Sequence, residues 1–534
     1  MITADVLGER ARLTPDAPAL VVVAPGPSGA PALRLSYREL DERAVRAALA
    51  LAGLGLMPGD RVALLAHNRV EYLDLFFAAG KGACVLVPLG TRLTPHELAP
   101  ILADSGARAL IYDGELAETI AALRALPDAP RIEHWIPLDA SAEGAATTLG
   151  ELATGADPAR FVTPPVEPED LCCLLYTSGT TGTPKGVMIS HRHVAWNGYN
   201  TVASWQLTAS DVSPIFTPLY HAGGLFAFLV PIFTIGGTIV LHRGFDPAEI
   251  WRTIAVERCT VILGVPTIWQ RLLEAPEFAG ADLSSVRALM SGGAPLPLWI
   301  AEAYQERGVV FKQGFGMTEV GVNCFAMTVE DSIRKRGSIG KPMMHTEVRL
   351  AGAGDSEGAE VPVGEVGELW FRGPHVCLGY WNRPQATAEA FVPDPDAKAR
   401  ASDRGRWFRS GDLARRDSEG FYYIAGRAKE MIISGGVNVY PAEIEAALVQ
   451  HPGVRDAAIV GVEDATWGEV GVAFVVELAP GSAAPDSVLA FLGERLARYK
   501  LPRAVVVMPE LPRTAYGKVV KGDLKRAWLD GQGA

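Results

Sequence analysis

The sequence predicts an α/β fold whose larger part is built on parallel sheet, and three observations carry that expectation. Short apolar runs alternate with helical patterns through the first half of the chain, the spacing that sets strands side by side with helices between them. From Val212 to His242 there is no Lys, Arg, Asp or Glu, so that stretch is made for burial. Near Gly426–Gly436 the chain turns polar and Gly-rich and a fresh pattern begins. A boundary at about Lys429 divides it into residues 1–428 and 429–534, the second part being about a hundred residues, a common domain size.

The elements follow in order. Arg61–Ala66 and Cys84–Pro88 read as strands, with a helical pattern around Glu71–Lys81 between them. Thr94-Pro95-His96-Glu97 is a capping box with Pro at the first helical position; the helix runs to Ser105-Gly106, and Ala107–Tyr112 follows as a strand. Ser141–Pro168, rich in Ala, Gly, Pro and Thr, reads as a surface connection into the strand Leu171–Tyr176. The charge-free stretch is long enough to span a bilayer. Pro214, Pro218 and Pro231 with Gly223-Gly224 and Gly236-Gly237 would break a lipid-exposed helix, so buried elements and no transmembrane segment are expected. Ala351–Gly367 has the turn content of a hairpin region. Pro441 opens a helix in which Glu443 and Glu445 face the positive end of the dipole.

At 534 residues and 49% hydrophobic content the chain can fill a large core, and its net charge of −12 argues against a nucleic-acid partner. The six cysteines (Cys84, Cys172, Cys173, Cys259, Cys324, Cys377) are scattered without C-x-x-C or paired Cys/His spacing, which fits reduced thiols in a cytoplasmic protein. The first residues carry acids and no apolar core, so no signal peptide is expected.

The strongest chemical signal is Tyr176-Thr-Ser-Gly-Thr-Thr-Gly-Thr-Pro-Lys-Gly186, directly after an apolar strand. Its glycines let the backbone turn tightly and aim N–H groups at an anion. Thr177, Ser178, Thr180, Thr181 and Thr183 add hydroxyl donors, and Lys185 adds charge. This is a phosphate cradle, and the missing Gly-Lys-Ser/Thr ending separates it from a Walker A loop.

That loop resembles the signature of the adenylate-forming superfamily: acyl-CoA synthetases, firefly-type luciferases and peptide-synthetase adenylation domains. Five further motifs agree in order. Ser291-Gly-Gly-Ala-Pro295 resembles the adenine-site motif, Gln313-Gly-Phe-Gly-Met-Thr-Glu319 the ATP/magnesium motif, and Trp407-Phe-Arg-Ser-Gly-Asp412 the ribose motif. Gly426–Gly436 resembles the interdomain hinge and Pro512–Lys518 the C-terminal catalytic loop. The resemblance implies a large N-terminal domain of helix-flanked parallel sheets plus a β-barrel-like subdomain, and a small mobile α+β C-terminal domain.

It also implies chemistry: a carboxylic acid and ATP give an acyl-adenylate and pyrophosphate, and coenzyme A then takes the acyl group. By carry-over, Thr177, Ser178, Gly179, Thr180, Thr181, Gly182 and Lys185 hold phosphates. Gly292, Gly293, Ala294 and Pro295, with Gln313, Gly314, Phe315, Gly316 and Met317, form the adenine side. Asp412 and Arg427 hold the ribose and phosphate. Glu319 binds Mg2+ beside Thr318, and Lys518 stabilises charge where carboxylate meets α-phosphate. Two anions must meet there, so positive charge has to line the path. Lys429 is the hinge residue, and Ser434, Gly435 and Gly436 line the pantetheine tunnel.

Tyr220, His221, Ala222, Val322 and Asn323, with Gly292, Gly293 and Gly314, fall at the implied acyl site; His221 lies near the carboxylate, and Asn323 is a candidate partner for a polar group on the acid. These residues are mainly small or apolar, which suits an alkyl chain or a flat aryl ring, and they include no acid to anchor an amino group. The expected substrate is a medium- or long-chain fatty acid, with an aryl or hydroxycinnamic acid next and a carrier-protein-directed adenylating enzyme third. A homodimer is the working expectation for assembly. Arg495, Arg498, Lys500, Arg503, Arg513, Lys521, Lys525 and Arg526 make the tail basic, either a dock for CoA phosphates or a solvated charged face.

Overall fold

The computed structural model of the protein describes residues 3–24, 26, 31–139, 147–177, 184–293, 296–352, 358–393, 405–434, 437–514 and 518–532. Local rules set the early elements. The Glu97 carboxylate accepts from the Thr94 backbone N–H at 2.8 Å and from its hydroxyl at 2.9 Å. The helix Pro95–Ser105 starts there and stops at Gly106, whose φ of 62° lies in the left-handed region that glycine enters without strain.

Among the described residues, Arg61–Leu65, Val85–Pro88, Ala109–Tyr112, His134–Pro137 and Leu171–Thr177 form the expected parallel sheet. Its edge strand Lys185–Ser190 runs antiparallel to Leu171–Thr177. Residues 178–184 alone separate these two strands, too few for a parallel crossover of about a dozen residues, which fits their antiparallel pairing. A second sheet orders Pro31–Ser36, Pro18–Val23, Thr238–Leu241 and Val212–Ile215. The backbone bond from Thr260 to Val212, 2.9 Å, joins it to the parallel strands Val261–Gly264, Ala288–Ser291 and Phe311–Gln313.

The charge-free stretch becomes short buried pieces: the strand Val212–Ile215, the π-helix Leu225–Leu229, the helix Val230–Ile235 and the strand Thr238–Leu241. Among the described residues no helix is long and apolar enough to cross a membrane. All six cysteines are buried and free.

The expected hairpin region is the antiparallel pair Glu347–Ala351 and Val366–Arg372. The pair belongs to an antiparallel sheet with Phe391–Pro393, Arg406–Arg416 and Tyr422–Arg427. After the 3₁₀ turn Ala428–Glu430, a last sheet forms from Ile432–Ser434, Val437–Val439, Val454–Asp464, Gly468–Glu477 and Ala504–Val507. Two apolar clusters drawn from residues beyond Met431 support it, around Ile444, Ile459 and Val475 on one face and Val460, Phe474 and Leu524 on the other. Most of the basic tail is paired internally: Lys500 with Glu443 at 2.6 Å, Lys521 with Glu445 at 2.8 Å and Glu430 at 3.1 Å, Arg503 with Asp464, and Arg513 with Asp456. A charged face laced with ion pairs accounts for these residues.

Candidate active site

The candidate residues collect where strands end. The parallel strands Ala288–Ser291 and Phe311–Gln313 finish side by side, and the N–H of Gly314 donates to Ser291 at 2.9 Å, which brings Gly292 and Gly293 next to Gly314. Carboxyl ends of parallel strands are where α/β sheets receive ligands. Beyond Gly314 the chain turns sharply. A Cβ on Gly316 would lie 2.4 Å from the carbonyl oxygen of Val322 and 2.5 Å from that of Gly321, so only glycine fits there. The turn delivers Thr318 and Glu319 in the 3₁₀ helix Thr318–Val320.

Glu319 is 6% exposed, and burial pushes its carboxyl above the ordinary carboxylate range. The Tyr380 hydroxyl donates to Glu319 Oε1 at 3.0 Å and offsets part of that penalty. The backbone around Glu319 is held from behind. Cys377 N–H donates to its carbonyl at 2.8 Å, and His375 Nδ1 meets the Val320 carbonyl at 2.5 Å. A carbonyl only accepts, so Nδ1 carries the proton and Nε2 accepts from the Thr346 hydroxyl at 2.9 Å; Thr346 in turn accepts from Asn200 Nδ2 at 3.0 Å. Burial lowers the His375 pKa to about 4, so the relay stays neutral.

Lys185 begins the edge strand, its ammonium 5.2 Å from the centre of the Tyr380 ring. Tyr380 reaches it because Leu378–Trp381 runs along that strand: Met188 N–H donates to Gly379 at 2.9 Å and Trp381 N–H to Gly186 at 2.8 Å. The first strand of the loop is anchored too. Tyr176 donates to Asp104 Oδ2 at 2.7 Å, and Arg383 pairs with Asp104 Oδ1 at 2.9 Å. Thr177 and Lys185 therefore face each other in register across the hairpin. Ser178, Gly179, Thr180, Thr181 and Gly182 lie outside the described residues, as do Ala294, Pro295, Gly435 and Gly436.

Asp412 and Arg427 are opposite one another on neighbouring antiparallel strands and pair at 2.9 Å through Arg427 Nε and Asp412 Oδ1. Asp412 is 5% exposed; burial raises its pKa and the charges of Arg427 and Lys518 oppose that. Lys518 comes from the C-terminal segment. The residue keeps access to solvent, yet its ammonium is crowded, and desolvation together with Arg427 disfavours the charged form. Glu319, Asp412 and Glu430 pull the other way. His221 feels the same ammonium: burial first, then Lys518, lowers its pKa to about 4. Lys429, in the 3₁₀ turn Ala428–Glu430, is lowered by burial and by Arg427. Lys185, Glu319, Asp412, Arg427, His221 and Lys518 are thus brought to one place from both ends of the chain.

The acyl-side residues divide. The rings of Tyr220 and His221 touch with centroids 4.7 Å apart, Ala222 is buried behind them, and Val322 is half-buried after the Gly316 turn. Asn323 is 6% exposed, and its Nδ2 donates to the Ala227 carbonyl at 2.8 Å and to Thr201 Oγ1 at 3.2 Å. Its amide nitrogen therefore serves the protein itself. Phe315 is half-buried and stacks on Phe371, 6.1 Å apart and 9° from parallel. Ser434 pairs with Val437 at the start of the last sheet. Tyr380 is the residue that motif reading missed; its only local signal is Gly-Tyr-Trp in a turn before Pro384.

Glu319 fits a divalent cation, being a buried hard oxygen donor with one oxygen already fixed by Tyr380. Residues 7–381 match the family described as AMP-binding enzyme, and residues 443–518 its C-terminal domain. A feruloyl-CoA synthase from Amycolatopsis sp is 42% identical over 92% of this chain and 94% of that one. A long-chain-fatty-acid–CoA ligase of Mycobacterium tuberculosis is 36% identical over 93% of each. ATP-bound MatB from Rhodopseudomonas palustris superposes with a TM-score of 0.84 at 32% identity, covering 99% of both chains. The chain belongs to the AMP-binding enzyme family and is an AMP-forming acid–CoA ligase that uses ATP, Mg2+ and coenzyme A.

Proposed function

We propose that this ligase activates a hydroxycinnamic-type aryl acid, and that the convergence of Lys185, Glu319 and Lys518 on one cleft carries out the activation. The acid's carboxylate oxygen attacks the α-phosphorus of ATP, the bond to the bridging oxygen breaks, and pyrophosphate leaves. Thr177 and Lys185 bind the phosphates, while Asp412 and Arg427 fix the ribose. Lys518 neutralises charge where the two anions meet, a role supported by the charges of Asp412 and Glu319 that act on its ammonium. Glu319 would hold Mg2+, which when bound supplies further positive charge at the phosphates. His221, neutral at working pH, offers a hydrogen bond to the carboxylate without competing for charge.

For the second half-reaction, the part beyond Lys429 pivots. That movement withdraws Lys518 and brings up Ser434, Gly435 and Gly436 for the thiol. The CoA sulfur bonds to the acyl carbon, AMP leaves, and the thiol proton goes to solvent. The aryl reading is supported by the 42% identity to a feruloyl-CoA synthase and by a small, apolar acyl side. A medium- or long-chain fatty acid is the second reading, supported by the 36% relative.

The test is a panel of ferulate, 4-coumarate, cinnamate, octanoate and palmitate with ATP and Mg2+, with and without CoA, followed by pyrophosphate release and thioester mass. Ferulate and 4-coumarate should give the highest kcat/KM and a CoA thioester. Thioesters from the alkyl acids alone would replace the first reading with the second, and pyrophosphate without any thioester would remove CoA as acceptor.

A further inference from the structure

The segment Pro374–Trp381 meets Glu319 and its neighbour Val320 at three points, and one of them is a buried ring that belongs to none of the sequence motifs. Tyr380 bonds the Glu319 carboxylate, and the Cys377 N–H bonds the Glu319 carbonyl at 2.8 Å. His375 takes the next carbonyl along, its Nδ1 lying 2.5 Å from the oxygen of Val320. The Cys324 thiol also reaches that oxygen, at 3.2 Å, but a thiol is a weak donor. The imidazole itself is fixed from several sides. It is 1% exposed, and a Cβ on Gly373 would lie 2.9 Å from its Nε2. The helix His191–Trp205 holds the backbone on either side of it, because Arg192 donates to the Pro374 carbonyl and, at 3.2 Å, to that of Val376. The same helix steadies the ring through Asn200, whose Nδ2 donates to Thr346 while its Oδ1 accepts from the His345 N–H at 3.1 Å. Thr346 passes that restraint to Nε2.

We propose that His375 is a positioning residue for the metal carboxylate: by holding the Val320 carbonyl it fixes the backbone that follows Glu319, and with it the direction in which that side chain enters the cleft. The inference rests on the reading of Glu319 as the cation's ligand. Tyr380 restrains one carboxylate oxygen, but a carboxylate stays aimed only if the backbone carrying it stays in place. A ligand group has to be held within about 0.5 Å of its working geometry. Glu319 stands on the single 3₁₀ turn Thr318–Val320, with Gly321 after it at a φ of 71°. So short a turn leaves its last carbonyls without partners of its own. Donors for two of them come instead from the segment alongside, the Cys377 N–H to Glu319 and the His375 ring to Val320. The first is a backbone contact that no substitution removes. The second depends on one ring nitrogen, and that makes it testable.

The side-chain amide of Asn overlays Nδ1 of a histidine, and that of Gln overlays Nε2. His375→Asn therefore restores a donor to Val320 and gives up the Thr346 bond, whereas His375→Gln does the reverse. Mn2+ affinity is measured for each full-length variant with a non-hydrolysable ATP analogue present, from the free Mn2+ signal in electron paramagnetic resonance. His375→Asn should bind within about twofold of the wild type. His375→Gln should bind about tenfold more weakly, the lower end of what a partner behind a metal ligand supplies. Wild-type affinity in His375→Gln overturns the inference, and so does weakening by Asn as great as by Gln, which would reduce the ring to packing. Glu319→Gln separates this from the reading beneath it. If Glu319→Gln binds Mn2+ as the wild type does, that reading falls and this inference with it; if it loses Mn2+ while His375→Gln does not, this inference alone falls. Should His375→Gln fail to fold, the wild type decides. In protein carrying isotope-labelled histidine, the His375 Nδ1–H resonance, identified by its loss in His375→Asn, should move when Mg2+ joins the analogue complex. A resonance that Mg2+ leaves in place overturns the inference.

Discussion

Removing one oxygen atom from Tyr380 should weaken divalent-cation binding more than it weakens the fold. The hydroxyl donates to Glu319 Oε1 at 3.0 Å, and Glu319 is 6% exposed with its pKa already raised by burial. A hydrogen bond to a charged group contributes about 1.5–3 kcal/mol net. At 1.4 kcal/mol per decade that is about 10- to 150-fold in any equilibrium that needs the carboxylate charged and aimed, and cation binding is one. Tyr380→Phe keeps the ring 5.2 Å from the Lys185 ammonium, so the phosphate-side contact survives; Tyr380→Leu removes both. Binding is read directly, by titrating Mn2+ into the protein with a non-hydrolysable ATP analogue and following free Mn2+ by electron paramagnetic resonance. Thermal unfolding is recorded alongside. The Phe variant should bind Mn2+ at least about tenfold more weakly at nearly unchanged Tm. The Leu variant should also lose affinity for the analogue without metal. Wild-type Mn2+ affinity in Tyr380→Phe would refute the idea that this hydroxyl holds the metal carboxylate.

Other outcomes follow from the same geometry. Lys518→Ala should lower pyrophosphate release by roughly 10²–10³-fold, the usual loss for one electrostatic donor, while thioester formation from supplied acyl-adenylate and CoA stays near wild type; equal loss of both half-reactions would contradict the pivot at Lys429. Gly316→Ala should abolish adenylation or prevent folding, since its Cβ would meet two carbonyl oxygens at 2.4–2.5 Å, and an active, stable Ala variant would show that the turn can open. Stability should also fall in acid. His191 and His375 are 1% exposed and burial lowers both to about 4, so the unfolded chain takes up their protons near pH 6.5 and the folded chain only near pH 4. Their contribution is complete above pH 6.5 and is lost as pH falls from 6.5 to 4, at about 1.4 kcal/mol per pH unit for each histidine. Urea unfolding at pH 7.5, 6.0 and 5.0 checks this, and a flat profile would mean that both rings charge freely in the fold.

What was legible from sequence was what short segments decide. The capping box at Thr94 and Glu97 reads directly because its donors and acceptor lie three residues apart. The antiparallel pairing of Leu171–Thr177 with Lys185–Ser190 follows from the few residues between them rather than from strand alternation. Tyr380 did not read, because its two partners lie 61 residues away at Glu319 and across a sheet edge at Lys185. The bonds that Asn323 makes to the protein did not read for a subtler reason. The π-helix Leu225–Leu229 bonds i to i+5, and carbonyls in such a segment lose the partners an α-helix would give them. Side chains from outside supply donors instead: Asn197 Nδ2 reaches Phe226 at 2.7 Å and Asn323 Nδ2 reaches Ala227 at 2.8 Å. A polar residue beside a substrate site therefore has two kinds of customer, the ligand and the irregular backbone that shapes the site, and sequence alone does not separate them. If the irregular helix exists to shape the acyl side, substituting Asn323 with Leu should disturb every acid alike.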